Sequence, residues 1–258
     1  MTFADHFSAV AARYAAYRPH YPPALVELLA EQAAHGVAWD VGCGNGQLAV
    51  ALADHFGRVI ATDPSQAQLA AAVGPRLPAF AGSLHLRHPR VEYRCVTAEA
   101  SGLADASVDL VVAAQAAHWF DWPRFCDEAT RIGRPGALIA LVSYGIPTLA
   151  GEPGRELAHY YHDVAGPYWL PERALVVSGY RELVMPWPEI DAPAIEMTVI
   201  WTRDELVGYA STWSATSRLV AQHGPSAFDA FARRLAATWP DAEPRIVSWP
   251  LGIRLARR

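Results

Sequence analysis

The stretch Trp39-Asp40-Val41-Gly42-Cys43-Gly44-Asn45-Gly46-Gln47-Leu48 joins an apolar run to a helical pattern, and it decides the fold. Its three glycines lack a Cβ atom, so the backbone can pass close to a ligand at this turn. A glycine-rich turn between a strand and a helix is typical of α/β proteins that bind nucleotides. The stretch therefore predicts that a nucleotide cofactor lies against Gly42, Gly44 and Gly46.

The spacing of the glycines does not favour a dinucleotide. The dinucleotide fingerprint has its third glycine three positions after the second, whereas Gly46 follows Gly44 by two positions. Asp40 precedes the loop, and its carboxylate would repel a pyrophosphate. The loop therefore favours a cofactor without phosphates and with a cationic amino-acid end, and it disfavours an NAD-dependent oxidoreductase.

An acid stands at the end of the next apolar run. Asp63 follows Val59 to Thr62, as the second strand of a strand-helix-strand unit would require. An acid at this position can accept hydrogen bonds from ribose hydroxyls. The alternative is that Asp63 or Ser65 caps the helix that begins near Gln66. We expect the ribose role for Asp63 and the capping role for Ser65.

Outward from this unit, short apolar runs alternate with helical patterns as far as residue 145. The alternation predicts an α/β, doubly wound, mostly parallel sheet. Later in the chain, the patterns predict one helix over Thr202 to Gln222, a second over Ala227 to Trp239, and a closing strand over Ile246 to Leu255. We divide the chain into an N-terminal helical lid (1–36), a cofactor-binding core (37–145), and a cap that also completes the sheet (146–258).

Composition excludes several classes of protein. The chain has 258 residues and a net charge of −5, with 21 basic against 26 acidic side chains, which argues against a nucleic-acid substrate. No apolar run is long enough to span a membrane, and no leader peptide precedes the first helix, so we expect a cytoplasmic protein. The three cysteines lie far apart, and His159 and His162 lack a third ligand, so we predict no metal site.

The motifs together resemble a known family. Val41 to Gly46, Asp63, Ala98-Glu99 and the run Val108 to Val112 resemble those of class I S-adenosylmethionine-dependent methyltransferases. Three further segments resemble the small-molecule branch that includes trans-aconitate methyltransferase, and the last of them is the weakest: Tyr14-x-x-Tyr17-Arg18-Pro19-x-Tyr21-Pro22, Gln115-x-x-His118-Trp119 and Thr212-Trp213-Ser214. The resemblance implies a Rossmann-like methyltransferase fold with seven strands, a lid and a cap.

The resemblance also implies where S-adenosylmethionine binds. Asp40 would face the amino group of its methionine part, Asp63 would hold the ribose, and Gln115 would reach the methionine end. The segments beside the adenine would be Pro64 and Ala98-Glu99, with a solvated loop acid as the alternative for Glu99. The full predicted set for the cofactor is Asp40, Gly42, Gly44, Gly46, Asp63, Pro64, Ala98, Glu99, Gln115 and Arg18.

The acceptor side is less determined by the sequence. Methyl transfer from a sulfonium depends mainly on alignment, so a general base is optional. His118 has the chemistry of a base, but it could equally line the site without moving a proton or belong to a packed aromatic turn. Arg18 could pair with a carboxylate of the cofactor or of an acidic acceptor. The candidates for lining the acceptor are Tyr14, Tyr17, His118, Trp119, Tyr144 and Trp213.

The sequence therefore predicts a methyltransferase that acts on an oxygen of a small molecule, with a carboxylic acid as the first choice and a hydroxyl as the second. Two alternatives remain open. One is methylation of a carbon or nitrogen in a natural-product scaffold, and the other is a regulatory protein that binds S-adenosylmethionine without turnover. We expect a monomer or a homodimer.

Overall fold

The structure, a computed structural model, describes residues 17–73, 88–241 and 243–258. The helices are α1 (Pro23–Gln32), α2 (Gln47–Leu52), α3 (Gln66–Val73), α4 (Trp122–Ile132), α5 (Gly151–His159), α6 (Arg173–Val177), α7 (Arg203–Ser211), α8 (Ser214–His223) and α9 (Ser226–Thr238). The strands are β1 (Val37–Val41), β2 (Arg58–Thr62), β3 (Val91–Arg94), β4 (Val108–Ala114), β5 (Gly133–Tyr144), β6 (Thr148–Leu149), β7 (Glu189–Ile190), β8 (Glu196–Trp201) and β9 (Arg245–Arg257).

The central sheet runs in the order β3-β2-β1-β4-β5-β9. The strands from β3 to β5 pair in parallel, and β9 pairs antiparallel to β5. Leu255 of β9 pairs with Ala140 of β5 and also with Ile190 of β7, so β7 forms a seventh strand on the far side of β9. The predicted doubly wound, mostly parallel sheet is confirmed.

Helices cover both faces of this sheet. Alternate residues of a strand point to opposite faces, and in β4 Leu110 packs with α1 and α2 whereas Val111 packs with α4. Both faces of the sheet are buried, which explains why the parallel strands appear as continuous apolar runs in the sequence. The loops at the carboxyl ends of β1, β2 and β4 meet at one edge, and there they form the site.

The cap has a third apolar core of its own. Its buried members are mostly aromatic and include Tyr160, Trp213, Phe231, Trp239 and Trp249. The first half of β9 pairs with β6 and β8, and the second half pairs with β5 and β7. One long strand therefore links the cap to the central sheet.

The helix predicted over Thr202 to Gln222 is in fact two helices. A capping box formed by Thr202 and Glu205 starts α7, and the backbone of Trp213 is extended before α8 begins at Ser214. The indole of Trp213 is buried in the cap core. Packing of this ring outweighs the local helical pattern, which contains neither glycine nor proline at the break.

The predicted lid lies only partly within the described residues. Tyr14 falls outside them. Pro23 begins α1, where proline is tolerated because the first N–H groups have no partner in the helix. Leu25 and Leu29 of α1 are fully buried against the sheet, so this helix is part of the core. Within the described ranges, no helix is long and apolar enough to span a membrane.

Candidate functional site

The loop between β1 and α2 is tied to the end of β2. The backbone N–H groups of Gly42 and Cys43 donate to the Thr62 carbonyl over 2.8 and 2.9 Å. The next glycine, Gly44, donates its N–H to Oδ2 of Asp63 over 2.9 Å. These bonds fix the path of the loop relative to the acid that follows β2.

Two of the glycines are required by close contacts. Gly42 and Gly46 both have a positive φ, of 70° and 80°, a region that side-chain-bearing residues rarely adopt. A Cβ on Gly42 would lie 2.4 Å from that of Ala116, and one on Gly46 would lie 2.4 Å from the Tyr93 hydroxyl. The loop therefore packs directly on the segment after β4 and on β3.

Asp63 and Ser65 form different hydrogen bonds at the start of α3. Oδ1 of Asp63 accepts the N–H of Ser65 over 2.8 Å, and Oγ of Ser65 accepts the N–H of Gln68 over 3.4 Å. Ser65 thus has the position of the helix cap, as expected. Each carboxylate oxygen of Asp63 accepts one backbone N–H, from Gly44 and from Ser65.

Asp40 is a buried acid at the base of a cavity in front of the loop. We call this space the loop cavity; its walls include Arg18, Tyr21, Asp40, Gly42, Gly44, Asn45, Gln115 and Tyr144. Oδ2 of Asp40 is buried without a hydrogen-bond partner among the described residues. Burial raises the pKa of Asp40 to about 7, against a backbone hydrogen bond from Ala49 and with a smaller contribution from Asp63.

This arrangement fits the amino-acid end of S-adenosylmethionine. A buried carboxylate oxygen that lacks a donor is stabilised by a cationic N–H group. The glycine backbone leaves room beside it, and Asp63 stands one strand away. A phosphate would instead meet a carboxylate at the base of this cavity.

A second space, the cap cavity, lies between the sheet edge and the cap. Its walls include the rings of Trp119, Trp169, Tyr209 and Trp213 together with His118 and Arg173. Arg18 and Gln115 line both cavities, so the two spaces adjoin.

The residues shared by the two cavities are held in place by Tyr144. Gln115 has a φ of 56°, a strained conformation for a residue with a side chain, and its amide donates to the Tyr144 carbonyl over 2.7 Å. Arg18 donates to the Tyr144 hydroxyl over 3.5 Å, and its guanidinium lies 5.4 Å from the centre of the Tyr209 ring. The connection between the cavities is therefore lined by a cation and an amide.

Arg173 brings a second cation to the cap cavity. Its guanidinium lies 4.8 Å from the centre of the Trp169 ring, and its Nε donates to the Tyr161 hydroxyl over 2.9 Å. In the part of the chain that the structure describes, Arg173 forms no salt bridge, unlike the paired Arg234 and Arg254. A cation stacked on aromatic rings and lacking a carboxylate partner suits an anionic, planar ligand.

His118 lies on the wall of the cap cavity in a 3₁₀ turn, Ala117–Trp119. Its Nδ1 is 3.0 Å from the Tyr180 hydroxyl, and its ring stacks at 6.1 Å on that of Tyr180. Burial, together with the nearby charge of Arg173, lowers the pKa of His118 to about 3. At neutral pH the imidazole is thus uncharged and only weakly basic, which does not favour the predicted role as a base.

The structure brings together most, but not all, of the residues that the sequence singled out. Tyr17 packs against Gly208 of α7 and lines neither cavity. Tyr144 lines the loop cavity, not the cap cavity. Five residues predicted for the cofactor also lie outside both linings: Gly46, Asp63, Pro64, Ala98 and Glu99. Glu99 instead accepts the N–H of Asp121 before α4 over 2.9 Å.

Arg173 and Tyr180 were not among the residues predicted from the sequence. The available signal for Arg173 was a basic residue close to Trp169, because guanidinium groups are attracted to the faces of aromatic rings. Tyr180 carried no such signal. It follows His118 by 62 positions, and only the folded chain brings the two side chains together.

Comparisons with known proteins agree with this geometry. Residues 39–141 match the family model of a methyltransferase domain. A candidate methyltransferase of Dictyostelium discoideum is 30% identical over 223 residues, which cover 84% of this chain and 80% of that protein. The crystal structure of a candidate type II methyltransferase from Anaeromyxobacter dehalogenans is 42% identical, with a TM-score of 0.83 over 93% of this chain and 98% of that one.

A more distant structure shares the fold alone. A phosphoethanolamine N-methyltransferase of Haemonchus contortus, solved with S-adenosylhomocysteine and phosphomonomethylethanolamine, is 16% identical. The TM-score is 0.51, and the match covers the whole of this chain and 60% of that one.

Proposed function

This chain belongs to the S-adenosylmethionine-dependent methyltransferases, and from that premise we propose that it methylates an oxygen of a small acidic molecule. The cofactor is S-adenosylmethionine, which supplies a methyl carbon activated by a sulfonium. The loop cavity holds the cofactor and the cap cavity holds the acceptor. The observation that supports this most is the distribution of charge, since the buried Asp40 lies in the loop cavity, Arg173 lines the cap cavity, and Arg18 lines both.

On the cofactor side, each residue has a defined task. Asp40 accepts a hydrogen bond from the amino group of the methionine part, and Gly42 and Gly44 leave space along the backbone. Asp63 accepts hydrogen bonds from the ribose hydroxyls, and its backbone bonds to Gly44 and Ser65 hold its carboxylate beside the loop. Pro64 and Ala98-Glu99 are proposed to border the adenine, although they do not line the loop cavity.

On the acceptor side, Arg173 and Arg18 hold the anion, while Trp119, Trp169 and Trp213 enclose its planar body. Arg18 and Gln115 lie at the connection between the cavities, so they orient the group that is methylated. A carboxylate is already deprotonated and needs no base. A carboxylic acid is therefore the first choice of acceptor, and an acidic hydroxyl is the second.

The same features support a place in the small-molecule branch that includes trans-aconitate methyltransferase. Arg18 comes from the Tyr-Arg-Pro motif, and Gln115, His118 and Trp119 come from the segment after β4. All four line the cap cavity, as residues of a branch-specific acceptor site would.

Turnover with matched acceptors tests this proposal. The purified protein would be incubated with S-adenosylmethionine and a panel of planar carboxylic acids, each paired with its uncharged amide, and S-adenosylhomocysteine would be quantified. We expect turnover with acids and none with the amides. The product should be an ester that mild base hydrolyses, which separates carboxyl methylation from methylation of a hydroxyl, a carbon or a nitrogen.

Two outcomes would reject parts of the proposal. Equal turnover of acids and amides would show that the two arginines do not bind an acidic group of the acceptor. Tight binding of S-adenosylhomocysteine without turnover of any compound in a broad metabolite panel would favour the regulatory binding protein.

A further inference from the structure

The pair formed by His118 and Tyr180 determines which nitrogen of the imidazole carries the proton. Tyr180 is fully buried, and its hydroxyl lies 3.0 Å from Nδ1 of His118. Backbone N–H groups of Ala117 and His118 also donate to this hydroxyl, so among the described residues Nδ1 is the one acceptor recorded for its proton. The direction of this bond therefore determines which imidazole nitrogen of His118 is protonated and whether the Tyr180 hydroxyl donates or accepts.

The hydroxyl must be the donor. If Nδ1 carried the proton and donated it, the O–H of Tyr180 would be buried without any acceptor, which is costly. If Tyr180 donates, its proton is satisfied and Nδ1 accepts. A neutral imidazole with an accepting Nδ1 carries its proton on Nε2.

The other nitrogen, Nε2, is not fully buried. It has no hydrogen-bond partner among the described residues, and it retains contact with solvent. His118 lines the cap cavity, on the same wall as Arg173. An N–H group at this place adds a donor to a cavity that already contains two guanidinium groups.

We propose that His118 donates a hydrogen bond from Nε2 to an anionic oxygen of the acceptor, and that Tyr180 is the positioning residue that holds this tautomer. The inference rests on the proposed function for the identity of the cap cavity. In this proposal His118 acts as a hydrogen-bond donor and not as the base that the sequence also allowed. Its chemical meaning is that the cavity selects an acceptor whose oxygen is already deprotonated.

The transfer then needs no proton acceptor on the protein. A lone pair of the acceptor oxygen forms the new bond to the methyl carbon, and the carbon–sulfur bond breaks with its electron pair going to sulfur. A carboxylate and a sulfonium thus give an ester and a thioether, and charge balances without a proton. The low pKa of His118 agrees with a group that stays neutral throughout.

The tautomer can be observed directly, without knowledge of the acceptor. NMR of the full chain labelled with ¹⁵N-histidine distinguishes a protonated from an unprotonated ring nitrogen, and His118→Gln assigns the signal. We expect an unprotonated Nδ1 and a protonated Nε2 from about pH 5 to about pH 9. A proton on Nδ1, or titration of His118 in that range, would overturn the proposal.

Tyr180→Phe tests the positioning role. The variant removes the hydroxyl and keeps the ring, so Nδ1 loses its donor and the two tautomers should mix. His159→Gln, on the exposed face of α5, serves as the control for labelling and folding. An unchanged tautomer in Tyr180→Phe would show that Tyr180 does not set it.

Kinetics with an acceptor from the panel distinguish a donor from a base. Glutamine at position 118 retains an N–H group near the place of Nε2 but cannot act as a base. Alanine has neither a donor nor a base at this place. We expect KM for the acceptor to rise about tenfold or more in His118→Ala and clearly less in His118→Gln, with the Kd of S-adenosylhomocysteine unchanged in both.

Equal losses of about a hundredfold or more in kcat in both variants would indicate a base and overturn the proposal. Absence of turnover in the wild-type protein would instead reject the proposed function, and the NMR experiment would still decide the tautomer.

Discussion

The backbone N–H of Gly44 donates to the carboxylate of Asp63 over 2.9 Å, so the loop after β1 is bound to the acid after β2. The contact joins two segments that are 19 positions apart in the sequence. It places the acid beside the glycine loop before any ligand arrives. Asp63 therefore has a structural bond and a proposed ligand bond at the same time.

Asp63→Asn should weaken the binding of S-adenosylhomocysteine by about 1.5 to 3 kcal/mol, because charge-assisted hydrogen bonds to the ribose are lost. Isothermal titration calorimetry would measure this as a rise in Kd of roughly tenfold to a hundredfold. Asp229→Asn, on the exposed surface of α9, is the matched control. Unchanged affinity in a folded Asp63→Asn protein would contradict the ribose role.

The stability of the cofactor-free protein should depend on Asp40. Its folded-state pKa of about 7 lies above the ordinary value of 3.8, so the folded chain holds this proton more tightly than the unfolded chain. The resulting stability is complete below about pH 4 and is lost as the pH rises through about 7, a decrease of up to about 4 kcal/mol.

Urea unfolding at a series of pH values would measure that decrease. In Asp40→Asn the same pH range should show a flatter dependence, because the amide does not titrate. If wild type and variant had parallel profiles, Asp40 would not be the group responsible.

Cofactor binding should show the opposite pH dependence. The cationic amino group of S-adenosylhomocysteine pairs with the ionised form of Asp40, so affinity should increase as the pH rises through about 7. Calorimetry at about pH 6 and about pH 8 would detect the increase. Asp40→Asn should bind more weakly at high pH and with little dependence on pH, and an equally steep dependence in the variant would refute the assignment.

Gly46→Ala and Gly136→Ala separate backbone strain from steric overlap. Both glycines have a φ near +80°, but a Cβ at Gly136 meets nothing within 4 Å, whereas one at Gly46 overlaps the Tyr93 ring. Gly136→Ala should cost about 1 to 2 kcal/mol in the free energy of unfolding. Gly46→Ala should cost about 1 to 3 kcal/mol more, as measured by chemical denaturation, and equal losses would show that the ring moves aside freely.

Arg173→Gln and Arg18→Gln should affect different ligands. Of the two cavities, Arg173 lines only the cap cavity. Its variant should therefore raise KM for the acceptor about tenfold and leave the Kd of S-adenosylhomocysteine unchanged. Arg18 lines both cavities, so its variant should weaken both. Arg155→Gln, exposed on α5 and paired with Glu152, is the control. An effect of Arg173→Gln on cofactor affinity would contradict the division between the cavities.

The structure around the glycine loop could be predicted from the sequence, because the residues that determine it lie close together in the chain. The strand, the loop, α2, and the acid after β2 lie within residues 37 to 63, and each follows from short-range geometry and burial. The alternation of strands and helices likewise predicted the doubly wound sheet. Even the capping role of Ser65 followed from its position directly before the helix that begins at Gln66.

The cap could not be read in the same way. The break at Trp213 interrupts a continuous helical pattern, because burial of one indole outweighs the small differences in helix propensity between neighbouring residues. β8 and the first half of β9 exist as a pair only through contacts between distant segments. The same is true of Arg173, whose importance comes from which cavity it faces.

The sequence by itself determined the cofactor, because the glycine loop, Asp40 and Asp63 act through local backbone geometry and charge that a short segment specifies. The tertiary structure alone decided the surroundings of His118. The fold buries its imidazole near Arg173 and places the Tyr180 hydroxyl on Nδ1, which disfavours the base among the roles that the sequence left open. The basicity of a side chain depends on its solvation and its partners, and both are set by residues far away in the chain.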